Sequence, residues 1–240
     1  MNYTKRYTVK SRGKKKLSIA IPVYNERKTV GEVIEKVKSI KLPIGKEIIV
    51  VDDGSNDGSF EIIKKIKGIE ILRHATNQGK GAAIKTALKY STGDIFIVQD
   101  ADLELNPQEI SKIIKPILEN KAEVVYGSRN PDIGKIDRHP LFYFGGILIT
   151  KITNLLYKTK LTDEPCGYKA FKMSIIKKIE IKENRFGWEP EITAKISKKK
   201  IKICEVFINS KSRSAKEGKK LRASDGLEAI WLLIKYKFKD

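Results

Sequence analysis

Between residues 17 and 126, short apolar runs alternate with stretches whose apolar positions recur every three or four residues. The runs at 17–23, 47–51, 69–72, 94–98 and 122–126 read as β-strands. The intervening 29–40, 59–66, 81–90 and 107–119 read as helices; in the first, Val30, Val33, Ile34, Val37 and Ile40 share one face. Pro107 suits the opening turn of the last of these, because an amide there has no helical acceptor. Strand and helix in alternation predict an α/β fold with a mostly parallel central sheet and helices on both faces. In such sheets ligands bind beyond the carboxyl ends of the strands. Tyr24-Asn25-Glu26, Asp52-Asp53-Gly54-Ser55 and Asp100-Ala101-Asp102 all fall at those ends and point to one site.

Past residue 130 the pattern loosens. An apolar helix is predicted over 141–157 with Lys151 as its only charge, a further helix over 188–198 and a strand over 201–208. Residues 211–222 form a polar loop, and 227–238 a short apolar helix with a basic end. The organisation expected is a basic flexible arm over 1–16, one domain over 17–222 and a C-terminal amphipathic extension over 223–240.

Charge narrows the partners. Lys and Arg number 49 against 29 Asp and Glu, a formal net charge of +20. Such an excess predicts anionic partners: nucleic acid, lipid headgroups or phosphorylated small molecules. Nucleic acid is disfavoured, because no binding motif or aromatic-studded basic face is present and acids crowd the predicted sheet mouth. The longest nearly uncharged apolar stretch, 141–150, is about half of the ~20 residues a spanning helix needs. No signal-peptide core opens the chain, which predicts a cytosolic protein. Cys166 and Cys204 have no metal-ligand or disulfide-framework spacing and are expected as free thiols.

Among the polar clusters, Asp100-Ala101-Asp102 is the most informative. Two carboxylates around a small residue at a strand end can approach a hard divalent cation and a nucleotide together. Glu104 adds a third carboxylate one turn on, although the same composition also suits a solvated loop. Asp53 is placed to accept hydrogen bonds from a nucleobase or ribose, whereas Asp57 or its neighbour reads as a helix cap. Tyr24 can stack on a base and Glu26 accept from ribose hydroxyls. Asn77-Gln78-Gly79-Lys80-Gly81 lacks the spacing of a P-loop and reads as a tight turn whose glycines serve backbone shape.

Taken together and in order, these clusters resemble the family 2 glycosyltransferases of the GT-A fold, nearest to the dolichyl-phosphate mannose and dolichyl-phosphate glucose synthases. The likeness is carried by Pro22-Val23-Tyr24-Asn25-Glu26, Val50-Val51-Asp52-Asp53-Gly54-Ser55, Asn77-Gln78-Gly79-Lys80-Gly81 and Gln99-Asp100-Ala101-Asp102. Tyr126-Gly127-Ser128-Arg129, Cys166-Gly167-Tyr168-Lys169 and Glu217-Gly218-Lys219-Lys220 extend it towards the end of the chain. The resemblance implies an inverting transfer of mannose or glucose from GDP-mannose or UDP-glucose to a polyprenyl phosphate. It implies that Pro22, Tyr24, Glu26, Val51 and Asp53 hold the nucleoside. By the same resemblance Asp100, Ala101 and Asp102 would meet the nucleotide, and Asp100, Asp102 and Glu104 would bind Mg2+ or Mn2+. Arg129, Arg138 and Arg213 would face the phosphates, with Lys219 and Lys220 in the acceptor loop, and catalysis would rest on Asp100, Asp102, Arg129 and Arg213. The implied setting is the cytoplasmic face of a membrane, as a peripheral enzyme or with a membrane-protein partner subunit.

Two other classes of reading stay open at this point. A related transferase with a saccharide or protein acceptor would need a base, for which Glu189 or Glu191 is available. An inactive relative would act as a membrane scaffold.

Overall fold

The computed structural model describes residues 15–129, 140–211 and 223–239. Arg138, Arg213, Lys219 and Lys220 lie outside them, as do the basic arm through residue 14 and all but the first residue of the 211–222 loop.

Among the described residues the strands are β1 (Lys16–Val23), β2 (Gly45–Asp52), β3 (Glu70–Arg73), β4 (Ile95–Val98), β5 (Val124–Ser128), β6 (Lys169–Lys172) and β7 (Ile203–Phe207). They form one sheet in the order β3-β2-β1-β4-β6-β5-β7. β1 runs parallel to both β2 and β4, so Val23, Asp52 and Val98 end on the same edge of the sheet. Strand order reverses direction between β1 and β4, which is where α/β sheets open a ligand crevice.

Period-two alternation along β1 divides the core into two layers. Leu17, Ile19, Ile21 and Val23 pack with helices α1 (Val30–Ser39) and α4 (Ile110–Leu118). Ala20 faces the other way, with Ile49, Val51, Phe96 and Val98, beneath α3 (Lys80–Tyr90) and α7 (Trp188–Lys198). A third cluster joins α5 (Pro140–Tyr157) and α8 (Ala223–Phe238) to α7 through Ile149, Tyr157, Ala194, Leu232, Leu233 and Tyr236. No helix among the described residues is long and apolar enough to cross a membrane.

Several boundaries differ from the sequence pattern for visible reasons. The helix read over 59–66 is regular only at α2 (Ser59–Ile63). Its continuation tightens into three-residue turns, with Lys65 and Ile66 donating to Ile62 and Ile63 at 3.1 and 3.0 Å. The element at 107–119 starts as a 3-10 turn, Pro107–Glu109, capped by the Asn106 side chain. Between 130 and 187 the sequence pattern yields one helix, and the structure adds β6 and the short α6 (Met173–Ile176). β6 is antiparallel to both β4 and β5. Cys166 and Cys204 are free thiols, and burial pushes the Cys166 pKa up to about 11.

At the amino edge of the sheet, Glu47 ties three segments. It accepts from Ser18 Oγ at 2.6 Å, from the Thr92 amide at 2.7 Å and hydroxyl at 2.7 Å, and pairs with Lys16. Burial alone would raise its pKa, but these partners hold it down at about 2, against an ordinary 4.5. A carboxylate depressed by folding stabilises the native state above its unfolded pKa and stops doing so as pH falls through the folded value. The native protein is therefore expected to lose stability from pH 4.5 down to about 2. In urea titrations across that window, Glu47→Gln should give a lower midpoint at neutral pH and a shallower acid dependence than the wild type.

Candidate active site

The site is built from three loops at the carboxyl ends of β1, β2 and β4, stitched to one another. After β1, Asn25 turns the chain with φ +49°, a left-handed geometry that Asn tolerates. Its amide donates to Ser55 Oγ at 3.0 Å, and its side-chain oxygen accepts from the Asn56 amide at 3.0 Å. The Glu26 amide donates to Ser59 Oγ at 2.8 Å, joining the β1 loop to the start of α2. Asp57 accepts from the Ser59 amide at 2.9 Å and the Arg27 amide at 3.0 Å, but the cap position of α2 falls on Gly58, one residue later than the sequence suggested.

The loop after β4 is braced in the same way. Gln99 Nε2 donates to the carbonyls of Asp100 and Leu105, at 2.9 and 3.2 Å. Thr29 Oγ1 lies 2.7 Å from the Ala101 carbonyl and 3.1 Å from Glu26 Oε2. Asp102 Oδ1 accepts the Glu104 amide at 3.0 Å across Leu103, whose φ is +63°. Gly167 packs on Asp100 so closely that a Cβ there would collide with Oδ2. The Lys211 amide donates to the Glu104 carbonyl at 2.9 Å, which holds Lys211 beside the Asp100–Glu104 loop.

A cavity of about 960 Å³ opens over these loops. That lies at the upper end of the roughly 300–1,000 Å³ of small-molecule sites. Pro22, Tyr24, Glu26, Asp53, Asp100, Ala101, Asp102, Glu104 and Arg129 all line it. Its opposite wall is made by α5 and α8.

Two of the candidate residues are engaged within the protein itself. Val51 is a core residue: strand alternation sends its side chain under α3, away from the cavity lining. Asp53 borders the cavity, yet its carboxylate is already engaged by the protein. It accepts from the Gln78 and Gly79 amides at 2.9 and 2.7 Å and from Asn77 Nδ2 at 2.9 Å, and meets His74 Nδ1 at 2.6 Å. Any nucleoside hydrogen bond would compete with these four partners. Its evident task is to shape the 74–79 loop, where Gly79 has φ +105°. That glycine is needed, since a Cβ would strike the Asn184 carbonyl.

Lys80, quoted in a motif but given no task there, is central in the structure. Its ammonium lies 2.8 Å from Asp100 Oδ1 and 2.9 Å from Glu189 Oε1. Burial works against its charge, but the two carboxylates outweigh burial and raise its pKa above the ordinary value. The signal available in the sequence was a lone cation inside a glycine-rich turn. Asp163 was missed likewise. It takes a two-pronged bond from Arg129, Nε to Oδ2 at 2.7 Å and Nη2 to Oδ1 at 2.8 Å, and accepts the Arg129 amide at 2.9 Å. Burial opposes the guanidinium charge, and Asp163 more than offsets it, with Glu104 adding to the effect. Glu191 is buried outside the cavity, accepting the Lys182 and Glu183 amides at 2.8 Å each and the Lys195 ammonium at 2.6 Å. It is a structural clamp and unsuited to act as a base.

The donor set suits a hard divalent ion in one respect: Asp100 and Asp102 offer carboxylate oxygens on one cavity wall. Among the described residues, no three acidic, His or Cys side chains form a group able to hold a metal. Glu104 lines the same cavity, and its charge acts on Arg129. Two carboxylates are the usual protein share for Mg2+-type ions, whose remaining ligands come from substrate phosphates and water.

The model of the family described as "Glycosyl transferase family 2" matches residues 18–180. A dolichol-phosphate mannosyltransferase of Pyrococcus furiosus is 29% identical over 92% of this chain and 64% of its own length. A UDP-N-acetylglucosamine–dolichyl-phosphate N-acetylglucosaminyltransferase of Methanococcus voltae is 30% identical over 82% of this chain and 86% of its own. Among solved structures, glucosyl-3-phosphoglycerate synthase from Mycobacterium tuberculosis, crystallised with Mn2+, UDP and phosphoglyceric acid, superposes with a TM-score of 0.73. It is 18% identical and covers 94% of this chain and 80% of that one. The fold is thus the GT-A fold that the sequence implied.

If Asp53 chiefly holds the 74–79 loop, Asp53→Ala leaves its donors without a partner. A loss of about 3 kcal/mol is expected from orphaning them. Chemical denaturation in the absence of any nucleotide reads this directly, and an unchanged midpoint would return Asp53 to a ligand-contact role alone.

Proposed function

The chain belongs to glycosyl transferase family 2, and we propose that it moves a hexose from a nucleoside-diphosphate sugar to a polyprenyl phosphate at a membrane surface. The named relatives that act on dolichyl phosphate support the acceptor class. The observation that carries it is the composition of the cavity. One wall presents Asp100, Asp102, Lys80 and Arg129; the other is made by α5 and α8. These two helices expose Phe144, Leu148 and Leu155, and Leu227, Trp231, Ile234 and Phe238, with Leu148 and Leu227 at the cavity itself. Both sets follow helical spacing, one face on each helix. A phosphate on a long apolar chain needs these two environments side by side. Lys235, Lys237 and Lys239 at the end of α8 add cations suited to lipid headgroups.

In this reading the nucleotide lies over the β1 and β2 loops, with its diphosphate towards Asp100 and Asp102. A divalent ion held by those two carboxylates and the diphosphate would neutralise charge on the departing nucleotide. Arg129, oriented by Asp163, offers fixed positive charge where two anions must approach each other. The acceptor phosphate is ionised at neutral pH and needs no strong base. One of its oxygens bonds to the anomeric carbon as the bond from that carbon to the donor diphosphate breaks, with inversion. The electron pair leaves on the nucleoside diphosphate. Arg138, Arg213 and Lys220, outside the described residues, are proposed as further phosphate contacts.

Purified protein given Mn2+, polyprenyl phosphate and, separately, GDP-mannose, UDP-glucose and UDP-N-acetylglucosamine should form glycolipid with one of them. Asp102→Ala should reduce that turnover by at least about a hundredfold with the thermal melt unchanged. Nucleotide release without glycolipid would move the acceptor to another class. Separately, Leu155→Glu with Trp231→Glu should abolish co-sedimentation with anionic vesicles and spare nucleotide binding. Retained sedimentation would remove α5 and α8 as the membrane face.

A further inference from the structure

Lys80 stands between two carboxylates that belong to different elements. Asp100 follows β4, and Glu189 lies in the first turn of α7. The base of Lys80 is fixed: Gly79 is gripped by Asp53, and the Gly81 and Ala82 amides donate to the Arg185 and Asn184 carbonyls at 3.3 and 2.9 Å. Its tip is a four-carbon stem with rotatable bonds. The side chains of Lys80, Asp100 and Glu189 are 15%, 21% and 12% exposed, so water screens them little. The ammonium sits where a cation attached to Asp100 Oδ1 would sit. A second cation brought to that oxygen would face Lys80 at close range, inside a poorly screened cleft.

From this we infer that Lys80 is a resident cation on Asp100, displaced towards Glu189 when a divalent ion takes the carboxylate. The inference rests on the metal reading given above. Glu189 is what makes the exchange feasible: it already shares the ammonium at 2.9 Å, so the charge stays paired throughout. Without metal, Lys80 prevents Asp100 from standing in the cavity as an unpaired carboxylate. With metal, the released ammonium remains in the cavity lining, a second positive charge for the donor's diphosphate. Lys80 is thus a positioning residue that sets how strongly the metal must compete for its ligand. Glu189, held in this pair, has a task other than that of a base.

The test is a titration of Mn2+ alone, followed by the electron paramagnetic resonance signal of free Mn2+, with folding checked by thermal melts. Lys80→Met removes the competitor and should tighten Mn2+ binding by about tenfold. Glu189→Gln removes the place to which Lys80 retreats and should weaken Mn2+ binding by a similar factor. Lys80→Arg should stay near wild type. Opposite shifts in the first two variants support the inference; should one of them fail to fold, the sign of the other still decides it. Unchanged or weaker binding in Lys80→Met, or tighter binding in Glu189→Gln, would overturn it and leave the metal site intact. Failure of the wild type to bind Mn2+, both alone and with UDP or GDP, would remove the metal reading and this inference with it.

Discussion

The carboxylate of Asp53 organises the approach to the site. It gathers two backbone amides, a side-chain amide and an imidazole nitrogen, all from residues 74–79. The 74–79 loop therefore closes onto the end of β2 in one shape, and Gly79 is delivered to the start of α3 in a conformation other residues avoid. Because α3 starts there, Lys80 projects into the cavity and reaches Asp100 after β4 and Glu189 on α7. The same turn of α3 is bonded to the 184–185 loop, whose neighbour Glu183 takes the Lys235 ammonium at 2.9 Å and the Tyr236 hydroxyl at 2.7 Å from α8. A connected set of polar contacts thus runs from the sheet to the helix that bears the exposed Trp231.

Charge is sorted along that path. The chain carries a large basic excess, yet Asp53, Asp100, Asp102, Glu104, Asp163, Glu164 and Glu189 all border the cavity. Two of the cations that line it stand in fixed partnership: Lys80 with its two carboxylates, Arg129 with Asp163. Such pairs cost about as much in lost hydration as they return in attraction, so they are poor evidence for stability. What they do supply is direction. A guanidinium locked at both ends cannot reorient to meet an arriving phosphate, and charges held in place are worth more to a reaction than mobile ones.

Much of this was legible in the sequence because apolar periodicity is a strong signal in the first half of the chain. Strands β1 to β5 and helices α1, α3 and α7 came from spacing alone, and the polar strand ends converge as the α/β rule requires. β6 was hidden because it is four residues long and begins with Lys169, which is fully buried. Its ammonium is satisfied by the Glu164 carbonyl at 2.6 Å and the ring of Tyr126, 3.7 Å away. No local pattern announces a lysine whose partners lie on other segments. Lys80 and Asp163 escaped for the same reason: each is defined by a partner distant in sequence. Val51 differs from Asp53, two positions on in the same motif: Asp53 borders the cavity, whereas the Val51 side chain packs in the core.

The disposition of the remaining acids bears on the acceptor. A hydroxyl acceptor must lose a proton, and the base that takes it needs a carboxylate available at the reacting centre. Glu191 is enclosed by two amides and Lys195 away from the cavity, and Glu189 is bound to the Lys80 ammonium at 2.9 Å. Asp163 is committed to Arg129. In Glu164 burial raises the carboxyl pKa, which would favour proton uptake, but it takes the Thr193 hydroxyl at 2.8 Å and lies beside buried Lys169. The acids nearest Lys80 and Arg129 are thus each engaged by the protein. A site so arranged suits a nucleophile that arrives already ionised, and a phosphate carried by a lipid is one that the exposed faces of α5 and α8 can also receive.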